Sequence, residues 1–229
     1  RALPLLRSTR SRPRGIVIFA HAKPGTLAAL IRDLNAEEPR TRVAAAEAAP
    51  ALVERGGDRQ AVIAALSGKL SDAVAQVRGA VCLALADLHA TEALAQLLTA
   101  ADDETPLVRQ LAVTALGELA DARASDRIRQ ALTDGHAEVR FQAIVAFPRV
   151  CSEPEQAWSA LRVGLSDDDP HVRGRAAEAC GEYAEGKPMP SALVHRLVIL
   201  LDDSELTETR VAAAIALAES GDRRGGDIL

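Results

Sequence analysis

Apolar positions recur along this chain in a pattern that restarts every 31 to 37 residues. The pattern is clearest in Val108-Arg109-Gln110-Leu111-Ala112-Val113-Thr114-Ala115-Leu116-Gly117-Glu118-Leu119, where the key apolar sites fall at offsets 0, 4, 7, 8 and 11. That spacing lines one face of an α-helix and fits no strand. Aligned on the arginine, the counterparts are Arg42, Arg78, Arg140, Arg173 and Arg210. Periods in this range mark a solenoid of stacked units.

Counted from the residue before each arginine, the fourth position is Ala45, Val81, Ala112, Ala143, Ala176 or Ala213, and the seventh is Ala48, Ala84, Ala115, Ala146, Ala179 or Ala216. Small residues at such places let helix axes approach closely. Each of these helices follows a second apolar run, as in Leu27, Leu30, Ile31 and Leu34 or Leu193, Leu197, Leu200 and Leu201. Every unit is therefore predicted to be a helical hairpin, helix A then helix B. The expected units are 24–55, 56–89, 90–121, 122–152, 153–186 and 187–220, with the start of another at 221–229, and 24–229 is read as one repeat domain.

The turn between A and B carries the most specific signal. An aspartate stands six residues before the arginine in four consecutive units, pairing Asp72 with Arg78, Asp103 with Arg109, Asp134 with Arg140 and Asp167 with Arg173. Such a carboxylate is expected to cap the first turn of helix B and to meet a guanidinium of its own or a neighbouring unit. The result would be a structural ladder that keeps the repeats in register. In the first and last units the aspartate's place is taken by Ala36 and Ser204, with Asn35 and Asp203 one residue earlier. Pro39, Pro106 and Pro170 suit the first position of a helix, where a missing N–H costs nothing. Pro50 and Pro148, deeper in their B helices, are expected to kink or end them.

Asp-x5-Arg followed by Val-Arg-x-x-x-Ala-x-x-Ala-Leu resembles the HEAT-repeat family, in the short form also found in phycobilisome-lyase-like repeats. The resemblance covers roughly residues 24 to 229. It implies an all-α, right-handed α-solenoid of about six HEAT-like hairpins, with the B helices lining the concave side. It also implies a bacterial-type, non-catalytic scaffold for a partner protein or peptide. A second implication, from the phycobilisome-lyase-like members, is chromophore handling, with the groove holding a tetrapyrrole for attachment to another protein.

The chemistry-bearing residues agree with a binding role. His21, His89, His136, His171 and His195 are isolated in sequence, no HExxH or paired Cys/His spacing occurs, and no Walker loop, GxGxxG or nucleophile elbow is present. No catalytic residue, metal or cofactor is expected. HEAT-like hydroxylases carry His-Glu pairs, and this chain has no His-Glu dipeptide. Cys82, Cys151 and Cys180 read as reduced thiols suited to a cytoplasmic setting. No apolar run reaches the ~18 residues of a membrane span.

Charge is unevenly shared. Residues 1–23 hold six basic groups and no acid, whereas the rest holds 21 basic and 32 acidic groups, an excess of eleven negative charges. An acidic solenoid repels phosphate backbones, so neither nucleic acid nor a HEAT-like nucleic-acid enzyme fits. Residues 1–15 read as a solvated basic arm, and Gly15–His21 as a short apolar segment that covers the first hairpin. Gly56-Gly57 and the stretch 186–190 are the loosest connections, and Ser220–Leu229 looks like the opening of a further helix A.

Positions two, three, six and ten after each anchor lie off the core face of helix B. They nominate Leu83, Leu111, Thr114, Glu118, Phe141, Gln142, Val145, Arg149, Arg175, Glu178 and Glu182 as partner-contacting residues. Leu83, Leu111, Phe141 and Val145 would form an apolar strip with a charged border, the make-up of an interface core with its rim. Gly79, Ala80 and Gly174 fall at the same offsets.

Overall fold

The computed structural model describes residues 25–229, except 185–187, 203, 225, 227 and 229. The basic arm, the Gly15–His21 segment, and Gly186 and Lys187 of the 186–190 connection lie outside the described residues. Among the described residues twelve α-helices alternate as A and B partners. They are α1 (Leu27–Leu34), α2 (Pro39–Glu54), α3 (Arg59–Ser67), α4 (Ala75–Asp87), α5 (Leu94–Ala100), α6 (Pro106–Leu119), α7 (Ser125–Ala131), α8 (Ala137–Val150), α9 (Pro154–Gly164), α10 (Pro170–Ala184), α11 (Ser191–Ile199) and α12 (Thr207–Glu219). Single 3₁₀ turns at Thr91–Ala93 and Ala122–Ala124 lead into α5 and α7.

The even-numbered helices pack on one another in succession, and each odd-numbered helix packs on its partner, so the architecture is a HEAT/armadillo-like solenoid of six hairpins. The eleven alanines and Val81 at the fourth and seventh positions are all buried, from Ala45 and Ala48 to Ala213 and Ala216. From the A side come Leu30, Leu34, Val62, Leu66, Leu97, Ile128, Leu161, Leu165 and Leu197, all buried in the same continuous core. Ile31 departs from its expected place in that run and is 42 % exposed, because the one-turn neighbours Leu30 and Leu34 already fill the buried stripe of α1.

Helix starts follow local chemistry. Pro39, Pro106 and Pro170 open α2, α6 and α10, and Pro154 opens α9 in the same way. The ladder aspartates act one step earlier than expected: Asp72, Asp103 and Asp134 accept the N–H of Val74, Thr105 and His136, the residues that precede their B helices. They close the turn rather than cap the helix's first turn. In the first and fifth units a separate acid is the helix cap: Glu38 Oε1 accepts the N–H of Arg40, and Asp169 Oδ1 accepts the N–H groups of His171 and Val172.

Neither internal proline ends its helix at once. Helix α2 runs four residues past Pro50, and α8 two past Pro148. One lost i to i−4 bond is tolerated where burial of Ala49 and Leu52, or of Phe147 and Val150, holds the turn in place.

The arginines join consecutive units. In each, Nη1 donates to the carbonyl six residues back in its own turn: Arg78 to Asp72, Arg109 to Asp103, Arg140 to Asp134 and Arg173 to Asp167, at 2.8–2.9 Å. The rest of the guanidinium reaches forward to the next unit's carboxylate. Arg78 grips Asp103 with both bonds at 2.7 Å, Arg140 grips Asp167 likewise, and Arg109 grips Asp134 at 2.8 and 2.9 Å. Arg42 extends the series to Asp72 through an Nη2 bond of 2.9 Å, while its Nε, also 2.9 Å away, makes an ion pair without a hydrogen bond. At the far end Glu205, one place after Ser204, receives Arg173 at 2.6 Å. The longer turn of the sixth unit moves the carboxylate along the chain, and glutamate's extra methylene makes up the reach.

A second set of cations, unforeseen from the spacing, comes from the A helices. Arg59 donates to the carbonyl of Leu88, which ends α4, and pairs with Glu92 at 2.6 Å. Arg127 reaches the carbonyl of Ala101 at the end of α5 and pairs with Asp102, and Arg196 reaches Leu165 at the end of α9. Each satisfies an open carbonyl at the negative end of a neighbouring helix.

Candidate functional site

The face built by the even-numbered helices is shaped by what stands at position two after each anchor. At Gly79 an added Cβ would lie 2.6 Å from Leu111 Cδ1, and at Gly174 it would lie 3.0 Å from Thr209 Oγ1. These two glycines are therefore buried contact points between successive helices, not surface. Thr209, in turn, donates to the Pro170 carbonyl at 3.0 Å and ties α12 to the start of α10. Farther along, Gly117 lets α6 and α8 approach until an added Cβ would sit 2.5 Å from the Cβ of Ala146.

In the fourth unit the same position holds Phe141, and no such close approach is possible. Phe141 is half-buried, packs against the core, and floors a groove of about 290 Å³ between α8 and α10. Gln142, Gln110, Glu138, Asp169 and His171 complete its walls.

A larger groove, about 500 Å³, runs between α10 and α12. Its floor is Val211, Ala212, Ile215 and Ala216, and its rim is Glu178, Glu182, Glu208 and Glu219. Ile215 is 44 % exposed. Arg175 lies beside it, largely buried, and donates to Glu178 at 2.7 Å and to both carboxylate oxygens of Glu182 at 3.1 Å. Burial alone would lower the Arg175 pKa, but the two glutamates outweigh it and raise it, so this guanidinium stays charged.

The nominated residues thus separate into groups. Phe141 and Gln142 share the first groove; Glu178 and Glu182 share the second, with Arg175 beneath them. Leu111 is half-buried over Gly79, Thr114 is half-buried with its hydroxyl on the Gln110 carbonyl, and Val145 is half-buried. Leu83, Glu118 and Arg149 are exposed and line neither groove. The continuous apolar strip becomes two hollows with half-covered aliphatics before them.

Sequence reasoning missed Val211, Ala212, Ile215 and Glu219. They stand two, three, six and ten places after Thr209, so the same offsets carried into the sixth unit would have named them. A third hollow of about 340 Å³, on the A-helix side, is lined by Arg129, Leu132, Gln156 and Val163 among others. Nothing in the repeat pattern marks it.

Elsewhere the candidate chemistry stays dispersed. Among the described residues no group of three His, Cys, Asp or Glu side chains could hold a metal ion. No helix among them is long and apolar enough to cross a membrane. Burial pushes the Cys82 and Cys180 thiols up to about 12, far from thiolate formation at neutral pH.

A solenoid of paired helices, tied by arginines that span adjacent units and grooved along its B-helix face, defines the class. A family model described as HEAT repeats matches residues 63–148 and 126–218, and the chain belongs to that family. It is 30% identical over 151 residues to the "Uncharacterized phycocyanin operon protein Z" of Pseudanabaena tenuis, an alignment covering 63% of this chain and 72% of that protein. Among solved structures it is similar to YibA of Escherichia coli, with TM-score 0.67 and 20% identity over 88% of this chain and 73% of that one. A designed armadillo repeat protein, solved with the peptide (KR)4, gives TM-score 0.60 and 22% identity over 85% of this chain and 99% of that one. Likenesses at this level of identity establish the fold.

Proposed function

We propose that this chain is a non-catalytic scaffold that binds a partner protein or peptide along the B-helix face, taken as the concave side of the solenoid. The observation that carries the reading is the groove floored by Phe141, an apolar base bordered by Gln142, Gln110, Glu138 and His171. Protein interfaces place aromatic anchors in such hollows and surround them with polar groups that exclude water. The reading is of a cytoplasmic protein, in keeping with the two buried free thiols.

The test is affinity capture with the full chain from lysate of the organism that encodes it, in parallel with Phe141→Glu/Val145→Glu. Because Phe141 also touches the core, Gln142→Arg, which alters only the groove wall, is run beside it, and circular dichroism verifies each fold. A protein held by the parent and lost by both folded variants supports the reading. The same proteins held by all three would defeat it.

The phycocyanin-operon relative favours one second reading, the handling of a bilin chromophore for attachment to another protein. Against it, Trp158 and Tyr183, which could offer large stacking surfaces, are spent on each other in an edge-to-face pair 4.7 Å apart. Bilin carboxylates would also meet the glutamates of the larger groove. A red-shifted, saturable absorbance band on adding bilin to the full chain would favour this reading; an unchanged spectrum would remove it.

A further inference from the structure

Resting on the reading of the B-helix face as a partner-binding surface, we infer that the α10–α12 groove takes a cationic, aliphatic segment of another polypeptide, with arginine or lysine alternating with residues such as leucine. Charge complementarity commits the occupant. Four glutamates rim the groove and no lysine or arginine lines it. Arg175, which lies beside it, is already shared between Glu178 and Glu182. A single exposed ion pair contributes little. Four carboxylates around an apolar floor act differently, because a side chain lying on Val211 and Ile215 displaces water and lowers the local dielectric around its neighbouring charge.

The groove has a built end. Gly181 has no side chain, and the Glu219 carboxylate lies directly over it, where any Cβ would collide. Glu219 of α12 thereby crosses to α10 and closes the hollow with a negative charge. An aliphatic side chain suits the exposed Ile215, and the flanking cations suit Glu182 on one side and Glu208 on the other. Arg175 occupies two of the same carboxylates from within, as an internal competitor. The equivalent position one unit earlier is Gln142, so glutamine is compatible with the helix there.

The experiment uses the full chain and fluorescence anisotropy with labelled peptides of about twelve residues: alternating Leu/Arg, alternating Ser/Arg and alternating Leu/Glu. The Leu/Arg peptide is expected to bind saturably and to weaken as salt rises. Binding should fall about tenfold or more in Glu182→Gln/Glu208→Gln, and similarly for the Ser/Arg peptide, since both rim charge and floor contribute. Arg175→Gln, which frees two glutamates, should tighten binding severalfold. Equal affinity for the parent and the double glutamine variant, equal affinity for Leu/Arg and Ser/Arg, or no binding at all would overturn the inference.

Phe141→Glu should leave this binding unchanged, which keeps the two grooves experimentally separate. If lysate capture fails while the peptide results hold, the Phe141 reading falls and this groove stands. If capture succeeds and peptide binding ignores the glutamates, this groove falls and that reading stands.

Discussion

Arg109 holds Asp134 with two parallel bonds, Nε to Oδ2 at 2.8 Å and Nη2 to Oδ1 at 2.9 Å, while its Nη1 holds the Asp103 carbonyl of its own turn. The side chains are 15 % and 12 % exposed. Removing the carboxylate strands a nearly buried guanidinium and also releases the N–H of His136. Asp134→Ala is expected to cost about 2–3 kcal/mol, more than a surface pair and less than a fully buried one. Thermal unfolding should shift down by roughly 5–10 °C. A shift within about 1 °C would mean that the ladder is ornamental.

The ladder also sets a pH response. At Asp134 the Arg109 hydrogen bond lowers the pKa against the opposing effect of burial. At Asp72, Asp103 and Asp167 burial is the largest single influence and pushes upward. There the arginine bond, a backbone N–H and the arginine charge together outweigh it, and all three are lowered as well. Groups depressed in the folded state contribute stability that is fully present above their unfolded value of about 3.9 and is lost as pH falls through the lower folded values. Chemical denaturation should therefore show nearly constant ladder stability from neutral pH down to about 5, then a steep loss below about 4. In Asp134→Asn the acid-side slope should be shallower, which parallel urea titrations would measure.

Four B helices end on a residue with positive φ: Gly56, His89, Ala120 and Gly221. Glycine adopts this conformation freely, whereas alanine is strained there by about 1–2 kcal/mol. Ala120→Gly, offset by the extra freedom of the unfolded glycine, is expected to stabilise by about 0.5–1 kcal/mol. Equilibrium unfolding by urea decides it; a loss of stability would show that the Ala120 methyl, which is exposed, has an unrecognised contact.

The thiols should divide by burial. Cys82 and Cys180 are buried with pKa values near 12, while Cys151 is half-buried with its sulfur donating to the Glu153 carbonyl at 3.2 Å. A disulfide reagent applied to the native protein at pH 8 is expected to modify Cys151 alone and to modify all three in denaturant. Rapid reaction of Cys180 in the native state would imply that α10 opens.

Much of the fold could be read from the chain because one residue class recurs at one place. The eleven alanines at the fourth and seventh positions, from Ala45 to Ala216, suit a closely packed helix seam, and all eleven are buried, as is Val81 at the twelfth such place. The direction of the ladder was hidden. Asp-x5-Arg advertises a pair six residues apart, yet that spacing serves the carbonyl, and the carboxylate is met from 25 to 27 residues upstream by Arg78, Arg109 and Arg140. Glu205 was hidden for a related reason, since a lengthened turn shifts the acid away from its usual position.

The B-helix face was legible in its offsets but not in its division. Gly79, Gly174 and Phe141 hold the same place in sequence, and only the distance between successive helices decides which is a seam and which a groove floor. That distance depends on both partners at once. Reading one strand of letters per unit treats each separately.

The forward reach of the arginines has a consequence for how such an array lengthens. Every internal unit offers a carboxylate to its predecessor and a guanidinium to its successor, so the joints made by Asp103, Asp134 and Asp167 are chemically the same socket and plug. A copied block of 31 residues, the separation of Asp72 from Asp103 and of Asp103 from Asp134, would arrive carrying both halves. It could enter at any of these joints and leave no broken pair behind, so tandem duplication meets no electrostatic barrier, and the length of the binding face is free to drift by whole units.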